Sequence, residues 1–163
     1  MPQKTTILAK AILFDLDGTL INTIEATEKA YQWLCAQHGV DAVAVVEGCH
    51  GVPTKQVLAK YFPPHTHTPE HVTILETRAG EDLSAISPIP GALKLLESLP
   101  PHLWVIVTSG TRALATRRLG HLKYPQSVAQ MVTAEDIKVG KPDPDGFLLG
   151  VSRLGLEGDA SGC

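Results

Sequence analysis

Two aspartates separated by one residue, Asp15 and Asp17, follow the apolar run Ala11-Ile12-Leu13-Phe14 and precede Gly18-Thr19. Residues two apart on an extended chain share a face. Both carboxylates can therefore enter one crevice just past a strand end, which is where open parallel sheets bind ligands. Neighbouring carboxylates repel, so their placement calls for a cation or a shared proton. Gly18 permits a tight turn and lets backbone N–H groups face an anion. Acids, cation and anion-binding amides together describe phosphoryl chemistry. Taken alone, the same residues also suit an ordinary turn, because Asp and Gly are favoured turn formers.

Two later segments shift that balance. Trp104-Val105-Ile106-Val107 is a continuous apolar run, as in a strand buried on both faces, and it ends in Thr108-Ser109-Gly110-Thr111. Hydroxyl and N–H donors at a helix start suit phosphate oxygens, with Thr111 placed to cap the helix. Further on, Lys141 stands between Gly140 and Pro142, just before another helix. An ammonium presented there can neutralise the aspartates and hold a phosphate between them. Each segment lies where a strand meets a loop, and each supplies a different need: nucleophile, oxygen donors, fixed cation.

The elements that must position these groups read as follows. Asn22 or Thr23 can cap a helix to about His38, stopped by Gly39. A loop passes through Gly48, His50 and Gly51, and Thr54 caps a short helix that Pro63-Pro64 ends. A further helix runs from Pro69 to about Leu83. After the connector Ser87-Pro88-Ile89-Pro90-Gly91, helices and strands alternate. Helices are predicted over 92–99, 111–119 and 144–154, and strands over 103–107 and 131–133. This order implies an α/β fold: a parallel sheet interrupted after its first strand by residues 22–87, mostly helical. Such an insertion would sit over the two aspartates as a lid that excludes water and selects substrate. Arg112, Arg117 and Arg118 read as a solvated helix face. His65, His67 and His71 have a spacing that fits no usual metal pattern.

The composition is that of an ordinary globular chain of 163 residues, 44% hydrophobic and 19% charged. A net charge of −3 offers no broad basic field for nucleic acid or an anionic membrane. No apolar run approaches the roughly 20 residues that span a bilayer, and the first residues do not read as a signal peptide. Cys35, Cys49 and Cys163 lack a CxxC spacing and fit a reduced compartment. The expectation is a cytoplasmic monomer with no nucleic-acid or membrane partner.

DLDGT at 15–19, VTSG at 107–110 and GKPDP at 140–144, with a helical insertion after the first, resemble the haloacid-dehalogenase-like phosphohydrolases. More narrowly, His50-Gly51 and the segments around the second and third motifs are similar to small-cap sugar and polyol phosphatases. The resemblance implies a Rossmann-like core at 1–21 and 88–163 with a helical cap at 22–87. It implies a Mg²⁺-dependent phosphatase of small sugar or polyol phosphates. Asp15 would attack phosphorus and form an aspartyl-phosphate, with one oxygen on Mg²⁺. Asp17 would protonate the leaving alkoxide, then activate water, its carbonyl contacting the metal. Thr108 would bind phosphoryl oxygens with the N–H groups of Ser109 and Gly110, and Lys141 would screen charge in the transition state. His50 and Gly51 would contact the substrate.

One part of the family pattern is missing. The family's fourth motif is a further strand ending in acids that complete the Mg²⁺ site, whereas the sequence here reads Leu156-Glu157-Gly158-Asp159-Ala160-Ser161-Gly162-Cys163. Glu157 and Asp159 follow no apolar strand. The expectation is a core truncated at its C-terminus, with weakened metal binding and an exposed apolar edge on the first strand. A phosphosugar mutase of the same fold and a catalytically impaired binding module remain as alternatives.

Overall fold

The computed structural model describes residues 8–124 and 131–156. Among these residues three parallel strands form the main sheet: β1 (Ile12–Phe14), β4 (Trp104–Val107) and β5 (Met131–Val132), in the order β1-β4-β5. The register pairs Ile12 with Trp104 and Phe14 with Ile106, and continues from Ile106 to Met131. A second, two-stranded antiparallel pair joins β2 (Ile21–Asn22) to β3 (Ser87–Pro88). The sequence pattern does not announce it, since two residues are too few to show a period of two.

Alternation along β4 explains both faces of the sheet. Trp104 and Ile106 pack with Ala92 and Leu96 of α5 (Ala92–Ser98) and with Ala115 and Leu119 of α6 (Arg112–His121). Val105 and Val107 face the other way, with Val132, Leu13 and Leu149 of α7 (Asp145–Arg153). The parallel α/β core expected from the sequence is present, and its strands end together at the aspartates.

Between β2 and β3 lie four helices: α1 (Ile24–His38), α2 (Ala42–Cys49), α3 (Thr54–Tyr61) and α4 (Pro69–Glu81). They enclose a separate apolar cluster of Leu34, Val45, Leu58, Phe62 and Leu75. Helix α2 takes Gly48 out of the expected loop, which keeps His50 and Gly51. Asp41 caps it by accepting from the N–H of Val43, and its Val-rich sequence, weak in helix propensity, is held by packing of the buried Val45 and Cys49. Thr54 is not the cap of α3: Pro53 occupies that position and Thr54 opens the helix, which frees its hydroxyl for another partner. Thr111 does cap α6, accepting from Leu114. Cys35 and Cys49 are free thiols in the helical cluster, and burial pushes the Cys49 thiol up to about 11. Among the described residues no helix is long and apolar enough to cross a membrane.

Candidate active site

The chain leaves β1 into a tight turn built on Leu16. Its carbonyl accepts from the N–H groups of Thr19, Leu20 and Ile21, while Gly18 N–H donates to Ile21 O at 2.8 Å. Gly18 sits at φ +80°, a conformation costly for a residue with a Cβ. The turn is therefore as expected, but this N–H is committed to Ile21 rather than aimed at an anion. What the turn delivers is the pair of carboxylates, past the end of β1.

Lys141 reaches back across the sheet and donates to Asp15 Oδ1 at 2.6 Å and to the Val107 carbonyl at 2.9 Å. The strand-end carbonyl and the acid together fix the ammonium, which also lies 5.3 Å from the centre of the Phe147 ring. Asp17 is held from three sides. Thr23 donates to its Oδ1 at 2.9 Å, Thr108 donates to Oδ2 at 3.4 Å, and Arg118 donates to Oδ1 at 2.7 Å. Thr23 stands at the N-cap position of α1 without making a side-chain cap bond, so its hydroxyl serves the site instead.

Arg118 corrects the reading of α6 as a solvated face. Its side chain is 3% exposed, and its Nη2 also donates to the Ala79 carbonyl of α4 at 3.4 Å. The signal lay in the helical period: Arg118 is four residues after Leu114, on the stripe shared with Ala115 and Leu119. Arg112 is half-buried and pairs with Asp136 at 2.5 Å.

The hydroxyl of Thr108 sits between Asp17 and the N–H of Gly110, which donates to it at 3.1 Å. Ser109 donates to the carbonyl of Gly51 at 3.2 Å, joining the tip of β4 to the helical segment. His50 Nε2 lies 3.1 Å from Glu28 Oε1. A cavity of about 220 Å³ opens between these parts. Asp15, Asp17, Ser109, Gly110 and Arg118 line it from the sheet side, and His50, Gly51, Thr54 and Glu76 from the helical side. Of the residues the sequence pointed to, Asp15, Asp17, His50, Gly51, Ser109 and Gly110 line this space, while Thr108 and Lys141 stand behind it, bonded to Asp17 and Asp15. Arg118, Thr23 and Glu76, for which the sequence reading found no role in the site, line it as well.

Electrostatics differ around this space. Burial dominates at Glu76 and pushes its carboxyl above the ordinary range, despite help from Thr111 and Thr54. Behind the sheet, burial would also raise Asp136, but the Arg153 guanidinium and the N–H and hydroxyl of Thr133 outweigh it and hold that carboxyl down to about 2. Rings of His38, His65 and His71 approach one another on the outer side of the helical segment. Among the described residues no group of three or more His, Cys, Asp or Glu is placed to hold a metal ion. Glu157 and Asp159 lie outside the described residues.

A parallel α/β sheet with two carboxylates, a fixed ammonium and a guanidinium at its strand ends can hold an anionic group beside a carboxylate. The chain belongs to the haloacid dehalogenase-like hydrolase family, which it matches over residues 12–161. It is 39% identical to 2-deoxyglucose-6-phosphate phosphatase 2 of Saccharomyces cerevisiae over 160 residues, covering 90% of this chain and 64% of that protein. It is 35% identical to hexitol phosphatase A of Escherichia coli over 153 residues, covering 90% and 69%. A crystal structure of a hydrolase from Pseudomonas syringae superposes with a TM-score of 0.73 at 29% identity, covering 90% of this chain and 71% of that one. The chain thus spans less than two thirds of the length of the yeast relative.

Proposed function

We propose that this chain is a phosphohydrolase of small sugar and polyol phosphates that works through a covalent intermediate on Asp15. The observation that carries this reading is the placement of Asp15: its carboxylate borders the cavity with the Lys141 ammonium at 2.6 Å. An ammonium so placed favours the arrival of a dianionic phosphate beside an anionic nucleophile. The similarity to sugar and hexitol phosphatases supports the substrate class.

In this mechanism an Asp15 oxygen attacks phosphorus in line, forming the aspartyl–phosphorus bond as the bond to the sugar or polyol oxygen breaks. Asp17 gives its proton to that oxygen. It then takes a proton from water as water attacks the acyl phosphate, which releases inorganic phosphate and restores Asp15. Lys141, with hydroxyl and N–H donors around Thr108, Ser109 and Gly110, balances charge on the phosphoryl oxygens. His50 and Gly51 contact the alcohol part of the substrate. Residues 22–87 form the cap that closes over a core made of 1–21 and 88–163.

The Asp15 carboxylate is a hard oxygen donor of the kind Mg²⁺ takes, one or two from protein with water and substrate phosphate completing the octahedron. The Asp15 side chain and the Asp17 backbone carbonyl would hold the ion, which when bound supplies Lewis-acid stabilisation of phosphoryl charge. The reading also places the chain in the cytoplasm as a monomer, in keeping with the buried free thiols Cys35 and Cys49 and a net charge of −3.

The test is release of inorganic phosphate from 2-deoxyglucose 6-phosphate and a hexitol phosphate in the presence of Mg²⁺. Asp15→Asn is expected to lower turnover by about 10³-fold or more. A variant that keeps its turnover overturns the covalent mechanism, and phosphorus NMR showing only an isomerised ester would indicate a mutase.

A further inference from the structure

In the reaction proposed above, the Asp17 carboxyl must give a proton to the leaving oxygen and later take one from water. Its two oxygens are held unequally. Oδ1 accepts from the Thr23 hydroxyl at 2.9 Å and from Arg118 Nη1 at 2.7 Å, whereas Oδ2 has one longer contact, from Thr108 at 3.4 Å. Two donors occupy both lone pairs of Oδ1, so a proton on this carboxyl resides on Oδ2.

The guanidinium that does most of this holding is itself braced. Arg118 is 3% exposed and stands on the buried stripe of α6 with Leu114, Ala115 and Leu119. Its Nη2 donates to the Ala79 carbonyl of α4 at 3.4 Å and to the Thr27 hydroxyl of α1 at 3.5 Å. A guanidinium is a rigid planar fork, so tethering Nη2 to these two helices sets where Nη1 points. Helix α6 also starts from its cap Thr111, directly after the Thr108-Ser109-Gly110 tip of β4. The group that orients the acid and the donors proposed for the phosphoryl oxygens are thus carried on one continuous piece of chain.

Resting on the phosphatase reading, we propose that Arg118 is a positioning residue for Asp17: seated on α6 and braced by α1 and α4, it grips Oδ1 and presents Oδ2 as the oxygen that passes the proton. The Oδ2 proton goes to the ester oxygen as the bond from that oxygen to phosphorus breaks. Oδ2 recovers a proton from water as water attacks the aspartyl-phosphate. Arg118 acts on the reaction through Asp17 alone. Its loss therefore costs rate only where the departing group needs a proton, as an alkoxide does and a carboxylate does not.

Two substrates separate these cases on the full chain with Mg²⁺. 2-Deoxyglucose 6-phosphate releases an alkoxide; acetyl phosphate releases acetate and is small enough for any site that admits a sugar phosphate. Rapid quench with enzyme in excess measures the first cleavage of each. Arg118→Met is expected to slow the sugar ester by about 10²-fold and acetyl phosphate by less than about threefold. Asp17→Asn sets the scale with the same selectivity, and adding Arg118→Met to it should slow the sugar ester by no more than about twofold further. Arg118→Lys leaves a cation at the site should Arg118→Met fail to fold. It is expected to lose about tenfold on the sugar ester alone, because an ammonium lacks the fork that spans Asp17 and Ala79.

Equal slowing of both substrates in a folded variant overturns the assignment, since that marks a general structural role. So does the absence of a selective loss in both variants, or a large further loss in the double variant. A parent that cleaves neither substrate, or an Asp15→Asn chain that cleaves both, instead removes the functional reading on which the assignment rests.

Discussion

The two sides of the cavity are built on opposite principles. On the sheet side every acid has a charged partner: Asp15 with Lys141 and Asp17 with Arg118. On the helical side Glu76 has only neutral partners, Thr54 and Thr111, and His50 faces Glu28 at an exposed edge. Charge pairing fixes the sheet side before any ligand arrives, while Glu76 is held by neutral groups. The difference suits the sheet side to chemistry, which needs a rigid constellation.

Removing the guanidinium attacks the rigid side directly. Arg118→Ala strands a carboxylate that was paired by a buried cation, at an expected cost of about 3–4 kcal/mol. For a chain of this size that lowers the melting temperature by roughly 10 °C, readable by thermal unfolding. Arg117→Ala, one position off the buried stripe, is the control, and equal effects at the two positions would break the contrast.

A second substitution asks whether the two sides are separately stabilised. Leu58 is fully buried in the helical cluster, and Leu58→Ala should cost about 3 kcal/mol. Hydrogen exchange should then quicken in α1–α4 and remain slow in β1 and β4. Uniform quickening would mean that the helical segment and the sheet unfold as one body.

The smallest effect is the pH dependence, where two acids act with opposite sign. Asp136 has a folded value of about 2, below its unfolded one. Its contribution is present at neutral pH and is lost as pH falls below about 4, amounting to roughly 1–2 kcal/mol at a partly solvated site. Glu76 is raised, so its folded form holds its proton more tightly. Its contribution is present at low pH and declines as pH rises past the ordinary carboxylate range. Urea unfolding across pH should show Asp136→Asn flattening the acid arm and Glu76→Gln flattening the upper one.

The same contrast decides what could be read from the sequence. The strand-end chemistry was legible because strands of few residues bring i and i+2 acids, a Thr-Ser-Gly tip and a Gly-Lys-Pro turn to one edge, and the spacing is local. The parallel core followed from apolar runs alternating with helices. Arg118 and Glu76 were missed because a single polar residue on an apolar helical stripe looks like noise until tertiary packing supplies a partner. Helix α2 was missed for a related reason: Ala42-Val43-Ala44-Val45-Val46 has weak helical preference, and burial against α1, α3 and α4 decides its state.

Gly140 gives the contact between these two sides an unusual form. It has no side chain, and a methyl group built there would collide with the Pro53 ring, while close by Ser109 reaches only a backbone carbonyl, that of Gly51. At this point the helical segment meets the strand tips through the Pro53 ring on bare main chain and one hydroxyl, while Arg118 ties it more firmly through Ala79 and Thr27. Any larger residue at 140 would act as a doorstop, propping the mouth ajar and letting solvent in beside the nucleophile.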